Sequence, residues 1–287
     1  MNNIDLIKKN EQINNLIEKY HLSDDFINEN INEFLRVLSI LDKCNKCTGL
    51  HQCRQSTLGQ RIALDYQGVL VEEIDYCDYA KAQQSKDDLV KKYAYCNVAS
   101  TLLDIDLDNI EYTKQQEELY ALLLGILHKK KNKGLYIVGD LGVGKTYLCT
   151  ALANSLVKKG EKVAYVKVST FFNEMKSYIS GNSISLDRMI DKLKRVDYLF
   201  FDDIGSESVS QFVRDDILFD ILDYRLDNKL ITIFNSNLNI DELFKHYQYD
   251  RKEKSNLMNA KRLIERIDIL TDNYVLQGPN LRRKEDA

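Results

Sequence analysis

The chain reads as an α/β protein: a parallel sheet with helices on both faces, preceded by a smaller, mainly helical domain that holds most of the cysteines. Three observations predict this. From residue 134 onward, short apolar β-like segments alternate with helical ones, the pattern of strand–helix–strand units. The first of these, "GLYIVGDLGVGKTYLCTALANSL", is an apolar strand, a glycine-rich turn and a helix. Five of the six cysteines (Cys44, Cys47, Cys53, Cys77, Cys96) stand before residue 97, and only Cys149 follows.

Taken in order, residues 1 to about 43 predict helices with one apolar stripe at Ile4, Ile7, Ile13, Leu16 and Ile17 and another in "INEFLRVLSIL". Between the cysteines, "ALDYQGVLVEEIDY" is strand-like, and "YAKAQQSKDDLVKKYAYC" is charged and helical. Thr113 followed by Gln116 is a capping box that opens an apolar-faced helix ending near His128. The basic tract Lys129–Lys133 leads into the strand "LYIVG" and predicts a solvated loop. Further strands are predicted at "KVAYVKVS", "DYLFFDD", "LITIFNS" and "YVLQG", with helices between. The composition shift places a domain boundary near residue 105, giving domains 1–105 and 106–287.

A chain of 287 residues with a formal charge of −4 has no global positive field to draw it to nucleic acid, so any DNA contact is local. The N-terminus has no apolar run of signal-peptide length and no window approaches a membrane span, so a cytoplasmic protein without membrane contact is expected. Six cysteines there point to metal or free thiols rather than to a disulfide framework.

The turn from Gly139 through Asp140, Leu141, Gly142, Val143 and Gly144 to Lys145 and Thr146 is a phosphate loop. Backbone must approach phosphate oxygens closely, in conformations that favour glycine, and the following helix presents its positive end. Lys145 supplies a point charge toward the β- and γ-phosphates, and Thr146 offers a hydroxyl to Mg²⁺. The acids are expected at the end of "VDYLFFDDIG": Asp202 for Mg²⁺, and Asp203 to orient or deprotonate the attacking water. After the next strand, Asn235 or Asn237 is placed to hydrogen-bond the γ-phosphate or the water. Both, like Asp241, also read as ordinary turn or cap residues.

Arg262 and Arg266 lie four apart on one helical face in "NAKRLIERIDIL", as solvated charges or as groups that reach a neighbour's γ-phosphate. Arg282 reads as a phosphate sensor or a tail residue, and Arg225 as structural or nucleotide-facing. Cys44-Asn-Lys-Cys47 has the spacing that grips one Zn²⁺ from a tight turn; Cys53 and Cys77 complete a set of four. His51 competes with Cys53, and Cys96 is a core cysteine or a substitute ligand. In "STFFNEMKSYIS", Phe171, Phe172, Lys176 and Tyr178 offer the stacking and basic groups of a single-strand DNA site, or part of a core.

The series "GLYIVGDLGVGKTYLCTALANSLVKKG", "VKVSTFFNEMKSYI", "YLFFDDIGSE", "ILDYRLDNKLITIFNSN" and "AKRLIERI", over residues from about 112 to 282, resembles the AAA+ ATPases of the DnaI/DnaC family, which load bacterial replicative helicases. The resemblance implies an AAA+ P-loop NTPase domain with the phosphate-loop strand central in a parallel sheet. It implies ATP and Mg²⁺ binding, contact with a hexameric replicative helicase and single-stranded DNA, and self-assembly in which one subunit's arginine completes its neighbour's site. Residue by residue, Lys145 and Thr146 match the phosphate and metal groups, Asp202 and Asp203 the acids, and Asn237 the sensor asparagine. Arg262 and Arg266 match the paired helix arginines, and Arg282 the late sensor arginine. The family often has Pro where Ile231 stands and Thr where Asn235 stands. "KCNKCTGLHQC" and "EEIDYC" resemble the zinc-binding, helicase-gripping N-terminal domain of the DnaI type, although "GQRIALDY" lacks the histidine found there. The competing expectations are a transposition-helper ATPase that works with a transposase and a metabolic phosphotransferase.

Overall fold

In the computed structural model, residues 2–179, 183–249 and 256–282 are described, without the side chains of 176–185. The chain divides into two compact units, Met1–Asp87 and Asp88–Ala287. In the first, helices α1 (Asn3–Lys8), α2 (Glu11–Tyr20), α3 (Asp24–Glu29) and α4 (Ile31–Asp42) precede an antiparallel hairpin of β1 (Gln60–Tyr66) and β2 (Leu70–Tyr76). The apolar stripe is its core: Ile4, Ile7, Ile13, Leu16 and Ile17 are buried with Phe34, Val37 and Leu41, and Ile62, Leu64 and Leu70 lie against them. Asn10 and Ser23 start α2 and α3 by accepting from backbone N–H groups that have no partner within the helix. Helix α5 (Asp78–Lys92) then crosses the division.

The division falls earlier than the boundary near 105, because residues 88–105 build into the second unit. Leu89, Tyr93 and Leu103 are buried in its core. The Tyr93 hydroxyl donates to Asn154 Oδ1 at 2.6 Å, and Asn154 Nδ2 donates to the carbonyls of Leu102 and Ile105.

The second unit runs β3 (Tyr95–Cys96), α6 (Glu117–Leu127), β4 (Gly134–Val138), α7 (Lys145–Lys158), β5 (Val163–Lys167), α8 (Val168–Ile179), α9 (Ser183–Arg195) and β6 (Tyr198–Asp202). A π-helical turn, Phe212–Leu218, leads into α10 (Phe219–Asp227), followed by β7 (Ile231–Ser236), α11 (Ile240–Gln248), α12 (Leu257–Leu270) and β8 (Thr271–Val275). Among the described residues these strands form one parallel sheet of order β3-β5-β6-β7-β4-β8. The phosphate-loop strand β4 is interior but second from the edge, not central as the resemblance implied.

Strand periodicity decides the two cores. Leu135 and Ile137, Val163 and Tyr165, Tyr198 and Phe200 face the side covered by α6 and α7. Tyr136, Ala164 and Val166, Leu199 and Phe201 face the side of α8 to α12. The last strand begins at Thr271, three positions before the predicted "YVLQG", because α12 runs into it directly. Buried Thr271 belongs to both, donating from its hydroxyl to the Ile267 carbonyl at 2.6 Å. Phe171 and Phe172 are fully buried, so neither is a DNA-stacking platform; Phe171 meets Tyr95 edge-on instead. The side chains of Lys176 and Tyr178 lie outside the described residues. The basic tract is solvated as predicted, with Lys129 paired to Glu161 and Lys133 to Asp272.

Candidate nucleotide-binding site

Parallel strands end on one edge, and there β4, β5, β6 and β7 open onto a cleft of about 1010 Å³. The cleft brings together Gly142, Gly144, Lys145, Thr146, Asp202, Asp203, Asn235, Asn237 and Arg282, supplied by the loop after β4, the start of α7, the ends of β6 and β7 with the residues that follow them, and the C-terminal segment. The loop between β4 and α7 follows the predicted chemistry. Gly142 and Gly144 have φ of 85° and 100°, the left-handed region that a Cβ disfavours. Neighbours also leave no room: a Cβ on Gly142 would stand 2.0 Å from Asn280 Oδ1, and one on Gly144 2.2 Å from Gln116 Nε2. Gly139 completes the loop, with the Leu276 carbonyl 2.2 Å from where its Cβ would be.

Lys145 opens α7 at the foot of the loop and is 7% exposed. Its ammonium donates to the carbonyls of Gly139 (2.6 Å) and Asp140 (2.8 Å) and to Asn237 Oδ1 (2.8 Å). Burial pulls its pKa down, and the charge of Asp203 acts against that. Thr146 donates from Oγ1 to Asp202 Oδ1 at 2.9 Å. A hydroxyl and a carboxylate that meet at the foot of a phosphate loop are the hard oxygen donors that suit Mg²⁺. Asn237 Nδ2 donates to Asp203 Oδ1 at 3.2 Å, so Asn237 bridges the loop lysine and the second acid. Asn235 is buried, and Asp241 lies in the first turn of α11, where Asn239 is the cap residue.

Two contacts here were not anticipated. Gln116 completes the predicted capping box by accepting from the Thr113 N–H at 2.8 Å, and its Nε2 donates to the Val143 carbonyl in the phosphate loop. The box was visible in sequence; its second partner, 27 residues on, was not. Beyond β8, the Leu281 N–H donates to the Gly142 carbonyl at 3.0 Å, which sets exposed Arg282 at the cleft.

The remaining arginines separate. Arg225 is fully buried and structural. Its guanidinium donates to Thr232 Oγ1 and to the carbonyls of Leu193, Lys194, Val196 and Ile231, and burial pushes its pKa down to about 9. Arg262 and Arg266 do not line the chain's own cleft. Both guanidinium groups lie over the Phe219 ring, at 4.4 and 4.5 Å. Arg266 is also held by Asp223 at 2.9 Å, whereas Arg262 is exposed and makes no ion pair among the described residues.

In the first unit the Cys47 N–H donates to the Cys44 carbonyl, forming the predicted tight turn. Gly59 links the other two cysteines: its N–H donates to Cys53 Sγ at 3.3 Å and its carbonyl accepts from the Cys77 main-chain N–H at 2.9 Å. Four half-buried free thiols suit Zn²⁺ by chemistry. Among the described residues, however, no three His, Cys, Asp or Glu side chains are arranged around a common centre. His51 lies in a 3₁₀ turn, Leu50–Gln52, while Cys96 belongs to the sheet of the second unit, where burial pushes its thiol up.

The family model of IstB-like ATP-binding proteins matches residues 52–273. The replicative helicase loader DnaI of Bacillus subtilis (strain 168) is 28% identical over 283 residues, 96% of this chain and 88% of its own length. A crystal structure of DnaI superposes with a TM-score of 0.56 at 30% identity, over 65% of this chain and 98% of that one. A putative primosome component from Streptococcus pyogenes serotype M3 gives 0.54 at 28% identity, over 69% and 98%. The chain belongs to the family of IstB-like ATP-binding proteins and, along nearly its whole length, resembles the DnaI-type helicase loader.

Proposed function

We propose that this protein is an ATP-dependent loader that delivers a hexameric replicative helicase onto single-stranded DNA during primosome assembly. The observation that supports it best is the similarity to a named helicase loader over 96% of the chain, both units included. The geometry of the cleft supports the chemical half of the reading. Lys145 and the loop amides would hold the phosphates of ATP, with Arg282 at the rim. Thr146 and Asp202 would hold Mg²⁺, which neutralises charge on the β- and γ-phosphates. Asp203 is the group to orient or deprotonate the attacking water, and Asn237 keeps that carboxylate and the Lys145 ammonium in register.

Arg262 and Arg266, neither of which lines the chain's own cleft, would serve a neighbouring subunit's nucleotide, so hydrolysis would act as a switch that depends on assembly. The first unit would grip the helicase, with Cys44, Cys47, Cys53 and Cys77 turned onto a structural Zn²⁺. Metal content of the purified chain tests that part: about one zinc per chain, lost in Cys53→Ser, is expected, and zinc-free folded protein would refute it.

The decisive experiment is co-elution of the full chain with the replicative helicase of the same organism, with ATP, with ADP and without nucleotide. Nucleotide-dependent co-elution is expected, along with helicase transfer to a single-stranded DNA circle. Absence of binding in every condition would remove the helicase as partner, and capture of a transposase in its place would favour the transposition-helper reading.

A further inference from the structure

We infer that Asn235 is a positioning residue for both acids of the cleft: it orients Asp202 toward the divalent cation and locks the backbone turn that aims Asp203. This deepens the ATP-site reading and rests on it. Strands β6 and β7 are parallel, with Phe200 beside Ile233 and Phe201 beside Phe234, so the next step sets Asn235 beside Asp202. At 2% exposure, Asn235 has no water to satisfy its amide, and every polar atom needs a protein partner.

Those partners are the two acids. Asn235 Nδ2 donates to Asp202 Oδ1 at 2.6 Å, the same oxygen that accepts from Thr146 at 2.9 Å. Two donors converging on one oxygen fix the rotation of the carboxylate and hence the direction of its other oxygen. Asn235 Oδ1 accepts from the Asp203 N–H at 2.8 Å, and the Asn235 main-chain carbonyl accepts from the Ile204 N–H at 3.0 Å. Asp203 is thereby held from both flanking peptides.

It needs holding. Asp203 has φ of 60°, a left-handed conformation that costs free energy for a residue with a Cβ. Among the described residues, the other left-handed non-glycine positions lie elsewhere: His21, Lys129 and Lys229 within two positions of a helix end, and Lys46 in the Cys44–Cys47 turn. At the end of a strand the turn has no helix to stabilise it, and the clamp from Asn235 substitutes. An asparagine amide has one nitrogen and one oxygen, and both are engaged by the acids: Nδ2 by Asp202 and Oδ1 by the Asp203 N–H. Asn235 therefore does not share the role of Asn237, which faces Lys145.

The test uses the full chain with Asn235→Ala, and Asn235→Ser in case the first variant does not fold. Binding of a fluorescent ATP analogue is measured in EDTA. Mn²⁺ is then titrated into the nucleotide complex and followed by electron paramagnetic resonance. The expected result is a nucleotide Kd in EDTA within about twofold of wild type and a Mn²⁺ affinity about 10- to 100-fold weaker, the effect usual for residues that orient a metal's ligands. A folded variant whose Mn²⁺ affinity stays within about twofold of wild type overturns the inference while leaving the ATP site standing. If wild type takes up neither nucleotide nor Mn²⁺, the ATP-site reading fails and the inference with it.

Discussion

The Lys145 ammonium and the Asn237 amide oxygen lie 2.8 Å apart although 92 positions separate them in the chain. Asn237 donates from the same amide to Asp203, so a single side chain joins the phosphate-loop lysine to the second acid of the cleft. Its loop is itself anchored, because Tyr136 on β4 donates from its hydroxyl to the Leu238 carbonyl at 2.7 Å. Each expected outcome below follows from one such relationship.

If Lys145 holds phosphate as proposed, Lys145→Ala removes a charge-assisted contact worth about 1.5–3 kcal/mol. Nucleotide Kd is expected to rise roughly 10- to 100-fold, measured by fluorescence titration. An unchanged Kd would mean that the cleft does not hold phosphate at the loop.

Asp203→Asn keeps the size and the hydrogen bond to Asn237 while removing the carboxylate proposed to act as the base. Hydrolysis is expected to fall by about 10²–10⁴, the usual weight of a positioned general base, with nucleotide affinity little altered. Equal losses in affinity and turnover would instead point to a role in binding.

Arg262 and Arg266 are expected to behave differently. If Arg262 serves a neighbour as proposed, Arg262→Ala lowers hydrolysis of the assembled protein by about 10³–10⁵, while the lost contact with the Phe219 ring costs only about 0.5–1 kcal/mol of stability. Arg266→Ala breaks the Asp223 ion pair and costs about 0.2–1 kcal/mol of stability, since that pair is partly solvated. Mixing each variant with Lys145→Ala subunits checks the first claim: for an arginine that acts in trans, the intact site of the Arg262→Ala subunit regains hydrolysis when a Lys145→Ala neighbour supplies Arg262, and no recovery in the mixture would refute it.

Arg225→Met is expected to destabilise by about 3 kcal/mol or more, because several buried carbonyls lose their donor together. Urea denaturation measures it. The nucleotide Kd of the folded fraction should not move; a selective loss of nucleotide binding in stable protein would restore Arg225 to the site.

Asp215 gives a pH test. Burial alone would raise its carboxyl, but the hydrogen bonds from Arg214 and Asn259 and the charges of Arg214 and Arg262 outweigh it, and the pKa is lowered from 3.8. A lowered carboxylate stabilises the fold above its unfolded pKa, and that contribution disappears as pH falls through the folded value. Asp215→Asn is therefore expected to flatten the decline of stability below about pH 4, read from urea midpoints.

How much of this was legible depended on the range of the interaction. The phosphate loop, the paired acids after an apolar strand and the helix cap at Thr113 are local patterns, since the backbone requirement and the chemistry lie within a few residues. The parallel sheet was legible for a related reason: strand–helix alternation admits few other arrangements. The strand start at Thr271 was missed because helix and strand meet there without a turn residue. Phe171 and Phe172 were ambiguous because an aromatic residue near a cleft has the same sequence signature whether it packs or stacks.

The sequence by itself determined which groups are available: Lys145, Thr146, Asp202, Asp203 and the two asparagines, in an order that a parallel sheet brings to one edge. Only the tertiary structure decided between alternatives of equal local merit. It turned Asn237 to Lys145 and Asn235 to the acids, buried Arg225, tied Arg266 to Asp223 and left Arg262 exposed over the Phe219 ring. It also moved residues 88–105 into the unit that holds the cleft. The physical reason is that a side chain's type is encoded at its own position, whereas its burial and its hydrogen-bond partners are set by whatever the fold places opposite, here strands and helices tens of residues away.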